Sequence, residues 1–327
     1  MTIAEMTTVD HVAVAGVPRR RARPQGSGFE IVFEGLCFGA ATALLIALGG
    51  VLVSLLIGGW PALSKFGFGF LTSVTWDPVK NIYGAAGPIA GTLITSALAL
   101  LFALPIAGGV AFFLVELCPT FLRRPIGTAV ELLAGIPSIV YGMWGLFVFA
   151  PFFAAKVEAP LMSAAPPGSF WETLFSGIPN GSGILAASII LGIMILPFMA
   201  ATLRELLLTV PPQVRESAYG LGATTREVVW SVTLPYVRRG AIGAVMLGLG
   251  RALGETMAVT FIIGNSHGFP HGLFDAGSTI ASTIANEFNE ASGLQSAALI
   301  ALGLVLFVIT FVVLALARLL LREQAKH

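Results

Sequence analysis

Residues 301–317, ALGLVLFVITFVVLALA, decide what kind of protein this is. The stretch carries no charge and is apolar on every side, so a helix built from it leaves no face for water. It lies within a longer run, 291–317, that lacks Asp, Glu, Lys and Arg altogether. Four more such runs occur at 35–64, 81–115, 132–155 and 173–203. A helix needs about 20 apolar residues to cross the hydrocarbon core, and each run is long enough. A sixth apolar segment, 239–264, is interrupted only by Arg251 and Glu255. Strands of a membrane barrel alternate apolar and polar positions over about ten residues, a pattern that 301–317 does not follow.

Composition agrees. Hydrophobic residues make up 56% of the 327 and charged residues 11%, where a soluble domain carries about 25% charged. The expected fold is all-α and polytopic, with about six transmembrane helices near 31–58, 86–114, 126–152, 183–205, 239–264 and 295–318. Tails at 1–30 and 323–327 flank this transmembrane domain. The net charge of +1 gives no electrostatic bias toward nucleic acid. Cys37 and Cys118 have no metal-ligand or redox spacing and read as buried or interfacial thiols.

Orientation follows from the basic residues. Fourteen of the 18 fall on one side: four arginines within RRRAR (19–23), Arg123 and Arg124, five arginines between Arg204 and Arg239, and Arg318, Arg322 and Lys326. Lys65, Lys80 and Lys156 fall on the other, and Arg251 lies within the membrane. Short loops rich in Lys and Arg stay inside, so both termini are expected in the cytoplasm. RRRAR is not followed closely by a short apolar region, so it reads as an anchor before the first span rather than as a cleavable signal. On the outer side, Trp60, Trp76, Phe170 and Trp171 suit the membrane–water interface and a partner that docks there. His267 and His271 are four apart, but Gly268 and Pro270 spoil the helix that would align them for a metal, so no metal site is expected.

The longest inner connection is patterned rather than loose. Within 208–240, LTVPPQVRESAYGLGATTREVVWSVTLPYVRRG, Pro211 and Pro212 suit a helix start. Gly220 and Gly222 break that helix. Thr224 and Glu227 have capping-box spacing for a second helix, which Pro235 is expected to end before the fifth span. The segment 211–235 is either an amphipathic surface hairpin or a docking element for another protein, with Glu216, Arg226 and Glu227 outermost.

The stretch 216–235, ESAYGLGATTREVVWSVTLP, resembles the EAA loop of ABC-transporter permeases: Glu216, Ala218, Gly222 and Pro235 match, and Ser217 replaces the first alanine. Three further stretches, 84–96 (GAAGPIAGTLITS), 131–145 (ELLAGIPSIVYGMWG) and 247–265 (LGLGRALGETMAVTFIIGN), resemble the phosphate-importer branch of that family. The likeness covers about 30–320 and leaves out the basic N-terminal tail. It implies a MetI-like permease whose coupling loop, with Glu216, Ala218, Gly222, Arg226 and Glu227, seats in an ATPase. It also implies two PstB-like ATPase subunits, a second, PstA-like permease and an external PstS-like phosphate-binding protein, all in a plasma membrane. The chain itself has no phosphate-binding P-loop, because its four lysines follow Ser, Val, Ala and Ala rather than Gly. It is therefore read as no enzyme and as binding no cofactor, with ATP and Mg on the partner ATPase.

Arg251 and Glu255, in 248–259 (GLGRALGETMAV), remain. An arginine near mid-membrane costs about 2.5–3.5 kcal/mol even on lenient scales. Glu255 is expected one helical turn away on the same face, where it would partly neutralise the charge. Either the pair fixes helix packing through Gly250 and Gly254, or Arg251 offers its planar donors to an anion while Glu255 holds it in place. In the resemblance both positions match an Arg and a Glu of the family. Ser138 and Tyr141 are further candidates for the substrate path, although such hydroxyls also satisfy their own helices. Pro105, Pro137, Pro151 and Pro197 are placed to kink the spans. A permease for sulfate or molybdate, a secondary transporter using Glu255 as a proton site, and a subunit signalling phosphate status stay open as alternatives.

Overall fold

A computed structural model describes residues 28–323, and the arginines of RRRAR and Lys326 lie outside them. The chain divides into two units, Met1–Leu52 and Val53–His327. The described part of the first is one continuous stretch of helix, the beginning of α1 (Gly28–Phe66), with almost every side chain exposed.

The second unit is helical throughout, with isolated β-bridges and no strands among the described residues. After the end of α1 come α2 (Ala86–Leu117), α3 (Thr120–Ala134), α4 (Ser138–Ala164) and α5 (Ile184–Leu208). Two short helices, α6 (Pro212–Gly220) and α7 (Thr225–Val228), precede α8 (Leu234–Leu253). A one-turn α9 (Met257–Thr260), then α10 (Ile280–Glu287) and α11 (Leu294–Glu323) follow, and short helices at Gly69–Thr72 and Phe170–Leu174 lie in the connections after α1 and α4. Five helices are long and apolar enough to cross a membrane: α1, α2, α4, α5 and α11.

Three sequence expectations are revised. The third apolar helix runs over 138–164 rather than 126–152, because the chain leaves the helix at Gly135, Ile136 and Pro137. Proline restricts the residue before it to extended backbone, so α3 becomes a separate amphipathic helix. The segment 239–264 is not one helix: α8 stops at Leu253, and Gly254, Glu255 and Thr256 separate it from α9. Pro235 does not end the second coupling helix. It lies within a helical run that continues from α7 through a π-helical stretch, Val229–Thr233, into α8, and the widened turn stands where the proline lacks an N–H for the ladder.

The core is built on contact between α2 and α5. Ala99, Ala103, Ala107 and Ala111 recur every fourth residue and are all at most 1% exposed. They form one stripe of small side chains along α2, facing Ala187, Leu191, Met194 and Ile195 in the same apolar cluster. Small residues let helix backbones approach closely, which substitutes in a membrane for the hydrophobic drive that lipid removes. At the far end of the stripe, a Cβ on Gly91 would lie 2.0 Å from the Ser278 carbonyl, so the 265–279 loop can fold down only onto a glycine. The Thr92 hydroxyl there accepts the Ile280 N–H at 2.9 Å, which seats the start of α10.

Of the aromatic residues expected at the interface, Trp60, Phe170 and Trp171 are exposed, but Trp76 turns inward. Its indole stacks on His267, with centroids 5.3 Å apart, and donates to Glu287 Oε2 at 2.9 Å. His267 Nε2 meets Glu287 Oε1 at 2.7 Å, and Gln295 Nε2 donates to Oε2 at 3.0 Å. Four residues from four stretches of chain are thereby tied together around one carboxylate. Burial pushes that carboxyl upward, but the bonds from His267, Gln295 and Trp76 outweigh it and hold Glu287 below the ordinary carboxylate range. His267 thus pairs with a carboxylate rather than with His271.

Candidate substrate path and coupling segment

The helix break after α8 defines the first site. Arg251 occupies the last turn of α8 and is exposed on this chain. Its guanidinium carbon lies 5.6 Å from the ring centroid of Phe198 on α5, within cation–π range. Gly254 follows as the helix terminator, and the Glu255 N–H donates back to Ala252 O at 3.3 Å. Glu255 therefore lies beyond the helix and not one turn along it. Its Oε1 instead accepts the Ala258 N–H at 3.2 Å, giving a partner to a backbone donor that the new start of α9 leaves unsatisfied. Among the described residues no ion pair joins Arg251 to Glu255. The expectation of a self-neutralising pair fails because the i,i+4 rule holds only within an unbroken helix.

The other two candidates come to the same neighbourhood. A Cβ on Gly142 would sit 3.0 Å from Ala258 Cα and from the Met257 carbonyl, so α4 lies directly against α9. Ser138 opens α4 and Tyr141 follows it by one turn. Tyr141 is already engaged, since its hydroxyl donates to the Leu133 carbonyl at 3.1 Å across the α3–α4 break. The same carbonyl accepts the Ile136 N–H at 3.3 Å, so Tyr141 adds a side-chain bond to the turn that ends α3. The structure thus gathers Arg251, Glu255, Ser138 and Tyr141 around two chain breaks, 135–137 and 254–256. Phe198 belongs with them, yet no sequence signal singled it out, because a lone aromatic beside Pro197 looks like ordinary helix filler.

The second site is the segment 211–235. Gly222 adopts φ +88°, a left-handed conformation that favours glycine, and donates its N–H to Tyr219 O at 2.9 Å. The chain reverses there and restarts at Thr224. The Thr224 N–H and hydroxyl both donate to Glu227 Oε2 at 2.8 Å, while Thr224 Oγ1 accepts the Glu227 N–H at 3.4 Å. This is the capping box that the spacing predicts. Bonds from the Thr224 backbone and side chain hold the Glu227 carboxyl below its ordinary value. Glu216, Arg226 and Glu227 are exposed, Ala218 is half-buried, and Leu221 and Trp230 are left exposed beside them.

A cavity of about 650 Å³ opens behind this segment, walled by Pro105, Phe112, Leu203, Leu207, Arg226 and Trp230. A second, of about 620 Å³ and mixed lining, lies at the 265–279 loop, against Ile178, Asn180, Phe269, His271 and Asp275. Arg251 lines neither cavity.

Two cross-links near the 211–235 segment have no signal in the local sequence. Arg204 on α5 binds Glu131 on α3 at 2.8 Å, which fixes the amphipathic helix in place. Arg215 on α6 binds Glu116 at the end of α2, also at 2.8 Å. Each pair joins residues far apart in sequence, so no local spacing announces it.

Residues 107–326 match the family described as binding-protein-dependent transport system inner membrane component. The chain is similar to the phosphate transport system permease protein PstC of Pasteurella multocida, at 53% identity over 297 residues, covering 91% of this chain and 93% of that one. It is similar also to the protein of the same name from Mesorhizobium japonicum, at 55% identity over 299 residues and 91% of each chain. Among solved structures, a chain of a bacterial ABC transporter involved in alginate import aligns with a TM-score of 0.58 at 18% identity, covering 90% of this chain and 97% of that chain. A chain of the inward-facing MetNI methionine ABC transporter aligns with a TM-score of 0.51 at 17% identity, covering 72% and 91%. Both structural likenesses concern the fold.

Proposed function

The chain belongs to the family of binding-protein-dependent transport system inner membrane components, and from that membership we propose that it is the transmembrane permease subunit of an ATP-driven importer of inorganic phosphate. Relatives more than 50% identical over nine-tenths of the chain are phosphate transport system permeases, which supports phosphate over sulfate or molybdate. The single observation that carries the chemistry is Arg251. It is an arginine at the end of α8, exposed on this chain, near an aromatic face and left without an acidic partner among the described residues.

A guanidinium so placed offers a flat fork of N–H donors to phosphate oxygens. Phosphate enters from the outer side, delivered by an external binding protein, into a cavity shared with a second permease. The break at 254–256 places irregular backbone beside Arg251, which is tolerated at membrane depth where it lines such a cavity. Glu255 does not clamp Arg251; it holds the start of α9 and so fixes the shape of the break. Ser138 and Tyr141 border the same route from α4.

ATP hydrolysis belongs to two separate ATPase subunits, which bind ATP and Mg. They grip the segment 211–235 from the cytoplasm, where Glu216, Ala218, Gly222, Arg226 and Glu227 form the docking element. Both termini lie on that cytoplasmic side. The test is uptake of labelled phosphate by the assembled complex in vesicles, with excess unlabelled phosphate, sulfate or molybdate as competitor. Competition by phosphate alone is expected. Equal competition by sulfate or molybdate would move the substrate assignment to that oxyanion, and uptake without ATP would overturn the importer.

A further inference from the structure

Arg215, in the sequence one more positive charge of the inner loop, is bonded at both terminal guanidinium nitrogens. Arg215 lies in the middle of α6, with a side chain 16% exposed. Nη1 donates to Glu116 Oε1 at 2.8 Å, and Glu116 is itself 9% exposed. Nη2 donates to two carbonyls, Leu207 at 3.0 Å and Val210 at 3.2 Å. One side chain therefore ties three elements together: the first coupling helix, the end of α2 and the end of α5.

The partners stand at the ends of two helices, with Val210 in the turn just after α5. Leu207 is in the last turn of α5, where carbonyls lack intrahelical donors and the helix dipole favours a cation. Glu116 sits in the π-helical stretch, Phe113–Leu117, that finishes α2. The wider π-turn, closed by the Cys118 N–H on the Phe113 carbonyl at 2.8 Å, displaces one residue from the α-helical register at the place where Glu116 leaves the helix. A mostly buried ion pair is seldom the cheapest way to stabilise a fold, because desolvation offsets much of its attraction. What a planar guanidinium bonded at both terminal nitrogens does provide is a fixed distance and orientation among the elements it joins.

The second half of the segment needs no such link. It runs from α7 through the π-helical stretch directly into α8, which ends at Arg251 and the break. The first half has no helical continuity with the membrane helices on either flank, since Thr209, Val210 and Pro211 interrupt it before and Leu221 to Ala223 after. We propose that Arg215, seated on Glu116 and on the carbonyls of Leu207 and Val210, is the positioning residue that passes movement of α6 to α2 and α5. ATPase action is thereby transmitted to the permeation helices by two routes, one covalent and one through this guanidinium. This rests on the reading of 211–235 as the ATPase docking element.

The experiment measures phosphate transported per ATP hydrolysed in the reconstituted complex, for Arg215→Gln, Glu116→Gln and Arg215→Lys. With Arg215→Gln, the ATPase subunits are expected to co-purify and hydrolyse ATP while transport per ATP falls about tenfold, the scale of a coupling residue. Glu116→Gln is expected to fall less, and Arg215→Lys to recover part of the ratio by keeping the charge without the fork. An unchanged ratio in both Arg215→Gln and Glu116→Gln overturns the proposal. So does loss of the ATPase from both, which would mean that the contact only builds the segment. Failure of the docking reading looks different: the ATPase would stay bound to a Gly222→Asp chain, whatever happens at Arg215.

Discussion

Arg215 and Arg251 are opposites. The first is mostly buried, with both terminal nitrogens bonded to a carboxylate and two carbonyls. The second is exposed and has a ring face for its nearest distinctive neighbour. Both sit beside places where a helix ends, and there the chain behaves differently. Near Arg215 the loose backbone groups are collected by the arginine itself. Near Arg251 the Ala258 N–H goes to Glu255, and among the described residues no ion pair claims the guanidinium. An arginine that gathers in its neighbours is part of the frame; one kept apart from them is available to a ligand.

The strongest way to break this contrast is Arg251→Gln. If the open arginine serves an anion, uptake falls by about a hundredfold or more, the loss of a charge-assisted contact in a dry site. Thermal unfolding in detergent should move little, since the contact with the Phe198 ring is worth only about 0.5–1 kcal/mol. Unfolding shifted as far as in Arg215→Gln would put both arginines in the same class. On the bonded side, Thr224→Ala removes the capping box and should cost about 1 kcal/mol of stability. Uptake competition should be left unaltered, as measured by calorimetry together with transport. On the open side, Phe198→Leu removes the ring beneath Arg251, a contact worth about 0.5–1 kcal/mol. It should raise the KM for phosphate two- to fivefold by that same estimate, with kcat unchanged. Phe198→Tyr should restore the original KM, which a simple packing defect would not allow.

The smallest effect concerns the carboxylate shared by Trp76, His267 and Gln295. Glu287 is held below its ordinary value of 4.5, so its contribution is complete above that pH and disappears as pH falls through the lowered value. Unfolding temperature measured downward from pH 6 should therefore drop more steeply in the natural chain than in Glu287→Gln. Parallel curves would show that the cluster carries no linked stability.

Much of the fold could be read from the sequence because charge-free runs of 20 or more residues admit few alternatives. The box at Thr224 and Glu227 was equally legible, since both partners lie within one turn. The breaks were not. Gly254 reads from the sequence as a packing position and Pro137 as a kink, but whether a helix stops at such a residue depends on what packs against it. Here Gly142 brings α4 onto α9, and Tyr141 bridges to Leu133. The same-face placement of Glu255 assumed a period that Gly254 cancels. Arg204 with Glu131 and Arg215 with Glu116 join positions 73 and 99 apart, beyond the reach of any spacing rule.

The four alanines along α2 set a limit on how the molecule can work. With no side chain there able to swing aside, the backbone beneath them cannot slide or tilt against α5 without opening a void on one flank and a collision on the other. These two helices must travel as a single plank. Any doorway for an ion has to be made by other parts of the bundle turning around it.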